Sequence, residues 1–283
     1  MKKIEVINSL DFINFGGVKK QILDVKRGVS DELWLATPHE DAERILATFG
    51  YDLGKLKVFD IYTQKYLKPI NEEMGIWWSD LRVPNNATFT IKKNWEIAVM
   101  QQGHQIARMK WFNDSHRIVK SVQWLTRESK IDYVDIYRRD GSLFSREYYD
   151  VGELIQANFY DNNEQMITQN FHFEGAMNLV YSNSQKYPNS NEYVKAILKE
   201  HPNAIFNISQ LGREIDFSTE NTVLSLYDGV LNSAGDIFGN LELVINNSNI
   251  SINTIRVNKK DYELLKNSDL NLHDINFELL SEE

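Results

Sequence analysis

Two periodicities divide this chain. In the first stretch, residues 3–7 alternate as a short strand, Asn14-Phe15-Gly16-Gly17 forms a Gly-rich turn, and Val18, Ile22, Leu23 and Val25 recur at helical spacing. Residues 32–36 read as a buried strand. A helix over 41–49 follows, with Ala42, Ile45, Leu46 and Phe49 on one face and Gly50 as its stop, and 57–62 is a third strand. Strands alternating with helices predict parallel pairing through right-handed crossovers. At Gly75 this pattern ends.

From Thr88 to Tyr181 the helical period disappears and strict alternation takes over, as in Ile118, Lys120, Val122 and Trp124 against Val119, Ser121 and Gln123. Aromatic residues close successive alternating runs at Trp111, Trp124, Tyr137, Tyr149, Tyr160 and Phe173, at intervals of 13, 13, 12, 11 and 13 residues. That interval is one strand plus one tight turn, so the segment predicts an antiparallel meander. Its expected reversals are Asn113-Asp114, Asp140-Gly141, Asp150-Val151-Gly152, Asp161-Asn162-Asn163 and Glu174-Gly175, residues that tolerate positive φ or bond their own backbone.

After Tyr181 the α/β rhythm resumes. Ser190-Asn191 precedes a helix whose Tyr193, Ile197 and Leu198 face inward, and strands are expected at 204–208, 222–227, 241–245 and 254–257, the last leading into 259–266. The simplest organisation is one α/β lobe in two pieces, 1–75 and 183–283, hosting the antiparallel meander 76–182 as an insertion.

Composition narrows the function classes. Net charge is −9, with 31 basic against 40 acidic residues and no long basic run, which argues against nucleic-acid binding. The chain has no cysteine, so disulfides, thiolate metal sites and a cysteine nucleophile are excluded. Glu5 sits where a signal peptide needs apolar residues, and no run of about 18 apolar residues occurs. The expected location is cytoplasmic, with at most peripheral contact at the inner face of the membrane.

Candidate chemistry is sparse. Gly16-Gly17 opening a helix can let free amides approach an anionic group, although a plain tight turn explains the pair as well and no Gly-x-Gly-x-x-Gly fingerprint is present. His39 follows the second strand, and carboxyl ends of strands line the crevice of open α/β sheets. Gly16, Gly17 and His39 are therefore the candidate cleft-facing residues, with helix-start packing as the plainer account of the histidine. The other histidines, His104, His116, His172, His201 and His273, lack metal-site spacing. Glu192 and Glu200 stand eight apart, as do the paired glutamates of some retaining sugar transferases, yet they frame an ordinary capped helix. Neither a catalytic residue nor a metal site nor a cofactor is assigned.

Gly16-Gly17-Val18 leading into a helix resembles the acceptor-domain loop of two-domain, GT-B-type glycosyltransferases, and 223–229 with 255–262 is similar to the last strands and helix of that amino-terminal lobe. More specifically, Val119-Lys120-Ser121-Val122-Gln123-Trp124, Asp135-Ile136-Tyr137-Arg138-Arg139-Asp140-Gly141, Arg146-Glu147-Tyr148-Tyr149-Asp150 and Asn158-Phe159-Tyr160-Asp161 resemble the meander of the bacterial accessory Sec glycosylation pair, closer to its stabilising subunit. The resemblance implies an α/β fold made of a single Rossmann-like GT-B-type lobe with a large inserted antiparallel β-meander. It also implies a cytosolic complex in which a catalytic subunit moves N-acetylglucosamine from UDP onto serine-rich repeat adhesins while an inactive relative binds the acceptor. A full member of that family carries a second lobe with the donor site; this chain reaches Glu283 with one lobe accounted for, as expected of a piece of a longer protein or a naturally short relative.

The expected function is a noncatalytic partner that stabilises a protein O-glycosyltransferase or presents its serine-rich acceptor polypeptide, with Trp124, Tyr137, Tyr149 and Tyr160 as candidate partner-binding residues. On a two-faced meander about half of these rings should be structural. Two rivals stand beside it: a glycosyltransferase fragment using a nucleotide-sugar donor, and a β-meander self-association module.

Overall fold

The computed structural model describes all residues except Asn94, His116, Ser248, Asn249 and residues 281–283. In chain order it contains β1 (Lys2–Ile7), α1 (Gly16–Lys26), β2 (Glu32–Leu35), α2 (Ala42–Thr48), β3 (Lys57–Asp60) and the two-residue β4 (Lys65–Tyr66). There follow β5 (Ala87–Ile91), β6 (Ile97–Gln101), β7 (His104–Trp111), β8 (Val119–Leu125), β9 (Ile131–Tyr137), β10 (Leu143–Asp150), β11 (Glu153–Tyr160), β12 (Met166–Phe173), β13 (Ala176–Ser182) and β14 (Gln185–Tyr187). The chain ends with α3 (Ser190–Lys199), β15 (Ala204–Ile208), β16 (Thr222–Ser225), α4 (Gly239–Asn246), β17 (Thr254–Val257), α5 (Lys259–Lys266) and β18 (Asn276–Leu279). Two compact units result: Met1–His39, Ile45–Ile61 and Asn191–Glu283 form one, Glu40–Arg44 and Tyr62–Ser190 the other.

The first unit is a parallel α/β lobe in the order β18-β17-β16-β15-β1-β2-β3. The chain steps from β1 one way to β3 and later from β15 the other way to β18, so the topological switch point lies between β1 and β15. Their register, Lys2↔Ala204 to Glu5↔Asn207, ends where the strands part. There the Gln21 amide of α1 donates to Val6 O (3.1 Å) and Asn207 O (2.9 Å), and Ser209 Oγ donates to its Oε1 at 2.7 Å. Beside it, Glu5 accepts from Ser30 Oγ (2.6 Å) and Asn207 Nδ2 (2.7 Å), while Asn207 Oδ1 accepts from Ser225. Every buried polar group in this junction has a partner, the condition for burying it at all.

The second unit is an antiparallel sheet in sequential order from β5 to β14. Four of its reversals are two-residue turns with both residues left-handed: Gln102-Gly103, Val151-Gly152, Glu174-Gly175 and Asn183-Ser184. This is the hairpin turn whose twist matches that of paired strands. Three others, closed by Arg138 N→Ser142 O, Thr126 N→Lys130 O and Asp161 N→Gln165 O, place one left-handed residue each: Gly141, Ser129 and Glu164. All six period-marking rings fall at or one residue before a strand end, in β7 to β12.

The expected strand at 241–245 is the middle of α4 instead. Leu241, Val244 and Ile245 are buried at helical spacing while Glu242 and Leu243 are exposed, so the run is one helical stripe with two exposed residues between its buried positions. The terminal strand β18, paired with β17, carries no alternation strong enough to announce it.

Two predictions follow from these features. Burial raises the Glu5 carboxyl from 4.5 to about 7, so the folded state favours its neutral form; the stability this group contributes is fully present below about pH 4.5 and is lost as pH rises through about 7. Glu5→Gln therefore gains on the wild type by about 2–3 kcal/mol in urea denaturation between pH 5 and pH 8; a constant difference contradicts the buried acid. Val151, β-branched and 75% exposed at φ 49°, is strained by its backbone rather than held by packing. Val151→Asn should raise stability by about 1 kcal/mol, read as an increase in Tm; no gain would mean the turn has another geometry.

Candidate functional site

In an antiparallel sheet, residues paired across strands share a face. One row runs Ala107, Trp124, Tyr133, Tyr148, Gln156, Phe171, Leu179 from β7 to β13. The neighbouring row on the same face runs Met109, Val122, Asp135, Arg146, Asn158, Gln169, Tyr181. This face changes character midway. Over β6 to β8 it is apolar core, with Ile97, Val99, Ala107, Met109, Val119 and Val122 buried together with Leu81, and Ile76, Trp78 and Val83 packed on the cluster. Over β9 to β13 it becomes a half-buried strip of rings and amides.

The strip is pre-organised. Trp124 stacks on Tyr133 (5.8 Å, 24°), Tyr133 meets Tyr148 at 6.1 Å, and Arg146 lies 5.1 Å over the Tyr133 ring. Arg146 also grips Asp135 through two bonds, 2.6 and 3.1 Å, and Trp124 Nε1 donates to the same carboxylate at 3.2 Å. The side chains of Gln156 and Gln169 both donate to Asn158 Oδ1. Aromatic faces with an ordered guanidinium and a line of side-chain amides are what protein partners engage at interface centres.

The candidate rings separate. Trp124 and Tyr137 share this face and pack against the apolar cluster. Tyr149 lies on the opposite face with Ser145 and Glu147, where its hydroxyl donates to Glu147 Oε2 at 2.8 Å and burial pushes both groups up. That opposite face is buried along Ser121, Ser145, Phe159, Thr168 and Ser182. Tyr160, half-buried at the end of β11, has its carbonyl bound by Arg138 Nη2 at 2.6 Å. Tyr133, Tyr148, Asp135 and Arg146 were missed because periodicity marks where strands end, not which residues line up across them.

In the α/β lobe, Gly16, Gly17 and His39 all follow strands at the carboxyl edge of the sheet, the glycines at the start of α1 and half-buried His39 after β2. Gly17 N donates to Asp228 Oδ2 at 2.9 Å. A Cβ at Gly16 would come within 2.1 Å of Asp228 Oδ1, and one at Gly17 within 2.8 Å of Ser209 Oγ. The glycine pair thus admits the chain's own carboxylate to the helix terminus. On the same edge Arg213 Nη1 donates to Asn8 Oδ1 (3.1 Å) and Thr37 Oγ1 (2.9 Å), and burial raises Glu214 to about 7. His116 lies outside the described residues. No helix among the described residues is long and apolar enough to cross a membrane.

Residues 90–188 match the sequence model of a family described as the GtfB middle domain. The match covers about a third of the chain, from β5 into the segment after β14, and so falls on the antiparallel sheet. The chain is also similar in fold to a solved GtfA/B complex bound to UDP and GlcNAc (15% identity, 99% of this chain and 61% of that chain, TM-score 0.63). The pneumococcal O-GlcNAc transferase GtfA in complex with UDP and GlcNAc aligns over 99% of this chain and 60% of its own at 10% identity, with a TM-score of 0.77. Accessory secretory protein 1,2 and 3 of Streptococcus pneumoniae aligns over 99% and 61% at 13% identity, with a TM-score of 0.69. At these identities the likeness is one of fold, and it makes the α/β lobe GT-B-like, as the sequence resemblance implied. The chain spans about 60% of the length of these solved chains. No curated protein sequence matches it.

Within the antiparallel sheet, the Arg146–Asp135 pair is the brace of the aromatic strip. Asp135 is 4% exposed, so Arg146→Ala leaves a buried carboxylate with only the indole donor and should cost about 2–3 kcal/mol of stability. Thermal denaturation checks this, with Asp135→Asn/Arg146→Ala recovering part of the loss; equal losses in the single and double variants would remove the brace.

Proposed function

We propose that this chain is a noncatalytic partner of a protein O-GlcNAc transferase: it binds and stabilises the catalytic subunit and presents the serine-rich acceptor polypeptide. The observation that carries the reading is the ring-and-amide strip over β9 to β13, within the segment similar to the GtfB middle domain. Neighbours of the same fold include a complex described as GtfA/B, which supports assembly with a GtfA-type subunit. The rings supply the desolvated anchors of an interface, and Gln156, Asn158 and Gln169 supply donors and acceptors suited to an extended backbone. Affinity from backbone bonds with few side-chain pockets suits a repetitive, low-complexity acceptor. The self-capped glycine turn in the lobe supports a role without nucleotide-sugar chemistry, since the amide that would meet a phosphate already serves Asp228.

The test is co-expression with a GtfA-type transferase. The chain should co-purify with it and raise its Tm by several degrees, and Tyr133→Ser/Tyr148→Ser should weaken the complex at least tenfold while leaving the chain's own circular dichroism unchanged. A chain that stays alone, or that elutes only as its own dimer, sinks the proposal.

A further inference from the structure

The reversals of the antiparallel sheet fall alternately at its two ends, and the ends differ. At one, the 138–142 turn is packed against the segment before the sheet, where a Cβ at Gly141 would meet Met74 O at 3.0 Å and Ile76 N at 3.1 Å. At the other, the Val151-Gly152 and Glu174-Gly175 turns are neighbouring tips, two strands and so about 10 Å apart, with Glu153 Oε2 lying 3.9 Å from the place a Cβ at Gly175 would take. These tips present apolar side chains: Val151 is 75%, Phe173 69% and Ile155 44% exposed.

Their construction sets them apart from plain turns. Val151 is the one β-branched residue among the described left-handed positions, where Asn or Gly would rest without strain. An exposed side chain that strains its own turn does nothing for the fold, so its use lies in what it touches. Ile155 is passed over by the pairing of Tyr148 with Gln156 and Tyr149 with Leu154, an irregularity of the kind that re-aims a side chain. Asn178, passed over in β13 in the same way, donates its amide to Phe173 O (3.3 Å) and Ala176 O (3.2 Å) and holds the second tip in shape.

Charge selects the occupant. Asp150, Glu153 and Glu174 are exposed around the apolar side chains, and residues 149–156 and 171–178 contain no lysine or arginine. Burial lowers His172, so it adds no positive charge at neutral pH. The next reversal on the β9 side carries Arg127 and Lys130 and bounds the acidic patch. An anionic lipid surface or a nucleic acid would be repelled, and a second copy would set like charges against each other. Cationic side chains beside apolar ones are the complement.

We propose that these two hairpin tips form a docking surface for a basic amphipathic segment of a protein partner, whose apolar side chains cover Val151, Ile155 and Phe173 and whose lysines or arginines pair with Asp150, Glu153 and Glu174. The surface uses neither the rings nor the amides assigned to the transferase and does not rest on that role.

Fluorescence anisotropy with a labelled leucine-lysine amphipathic peptide of about 14 residues tests it, beside the same peptide with glutamate in place of lysine. The basic peptide should bind and the acidic one should not. Val151→Asn should weaken binding roughly fivefold while raising Tm, so that the loss does not come from unfolding, and Phe173→Ser, at an exposed position, should weaken it as much. Glu153→Gln/Glu174→Gln should weaken it and flatten its fall with rising salt. No binding of the basic peptide, equal binding of the acidic one, or binding unchanged in either Val151→Asn or Phe173→Ser would overturn the docking surface. So would a wild-type dimer in light scattering that Val151→Asn dissolves, which would give the tips to a second copy. Because transferase co-purification is scored separately, a lost peptide signal with an intact complex removes only this inference.

Discussion

The pairing of β1 with β15 is the constraint on which the rest of the molecule depends. These strands lie about two hundred residues apart in sequence, and their ladder is extended past its last rung by the Gln21 amide reaching both strands. Glu5, Asn207, Ser30 and Ser225 complete a buried polar junction in which each member satisfies the next. Loop closure grows costly only slowly with length, so an insertion between the halves of the lobe is tolerated provided the junction that reunites them is strong and specific. A polar junction meets the second condition better than an apolar one, because a slipped register would leave buried donors and acceptors without partners.

The insertion solves a different problem. Ten antiparallel strands in sequential order need no long crossover, only correct reversals, and each reversal carries a residue or pair in the left-handed region or a short loop. Local specification of this kind keeps contacts short-range and registers fixed, so one face can be apolar at its β6–β8 end and amphipathic at its β9–β13 end without disturbing the fold. The Asp135–Arg146 brace is the local device that keeps the second region ordered while exposed.

Legibility in the sequence followed the same division. Strand ends in the meander were readable because ring and turn residues recur together, as at Tyr137 before Asp140-Gly141 and Phe173 before Glu174-Gly175. The α/β strands were readable from their apolar runs except β18, which has no strong alternation, and 241–245 reads as a strand because five residues are too few to separate a helical stripe from one. The rows of the interaction surface were not readable, since they depend on register, and irregularities such as the one between Tyr148 and Tyr149 shift it in ways alternation does not encode. Tyr148 pairs with Gln156 and Tyr149 with Leu154, so Ile155 is passed over, and which residues of β11 continue the row of Tyr148 is visible only in three dimensions. The glycine pair was readable as a close approach, but its partner, Asp228, is 211 residues away and could be found only in three dimensions.

Hydrogen–deuterium exchange of the chain with and without a GtfA-type transferase addresses most directly the proposal that the open half of the antiparallel sheet's face is where a catalytic partner engages. Added protection in peptides spanning β9 to β13, with the carboxyl edge of the α/β lobe unchanged, is the predicted result. Protection confined to that edge, or none in either unit at saturating transferase, would contradict it.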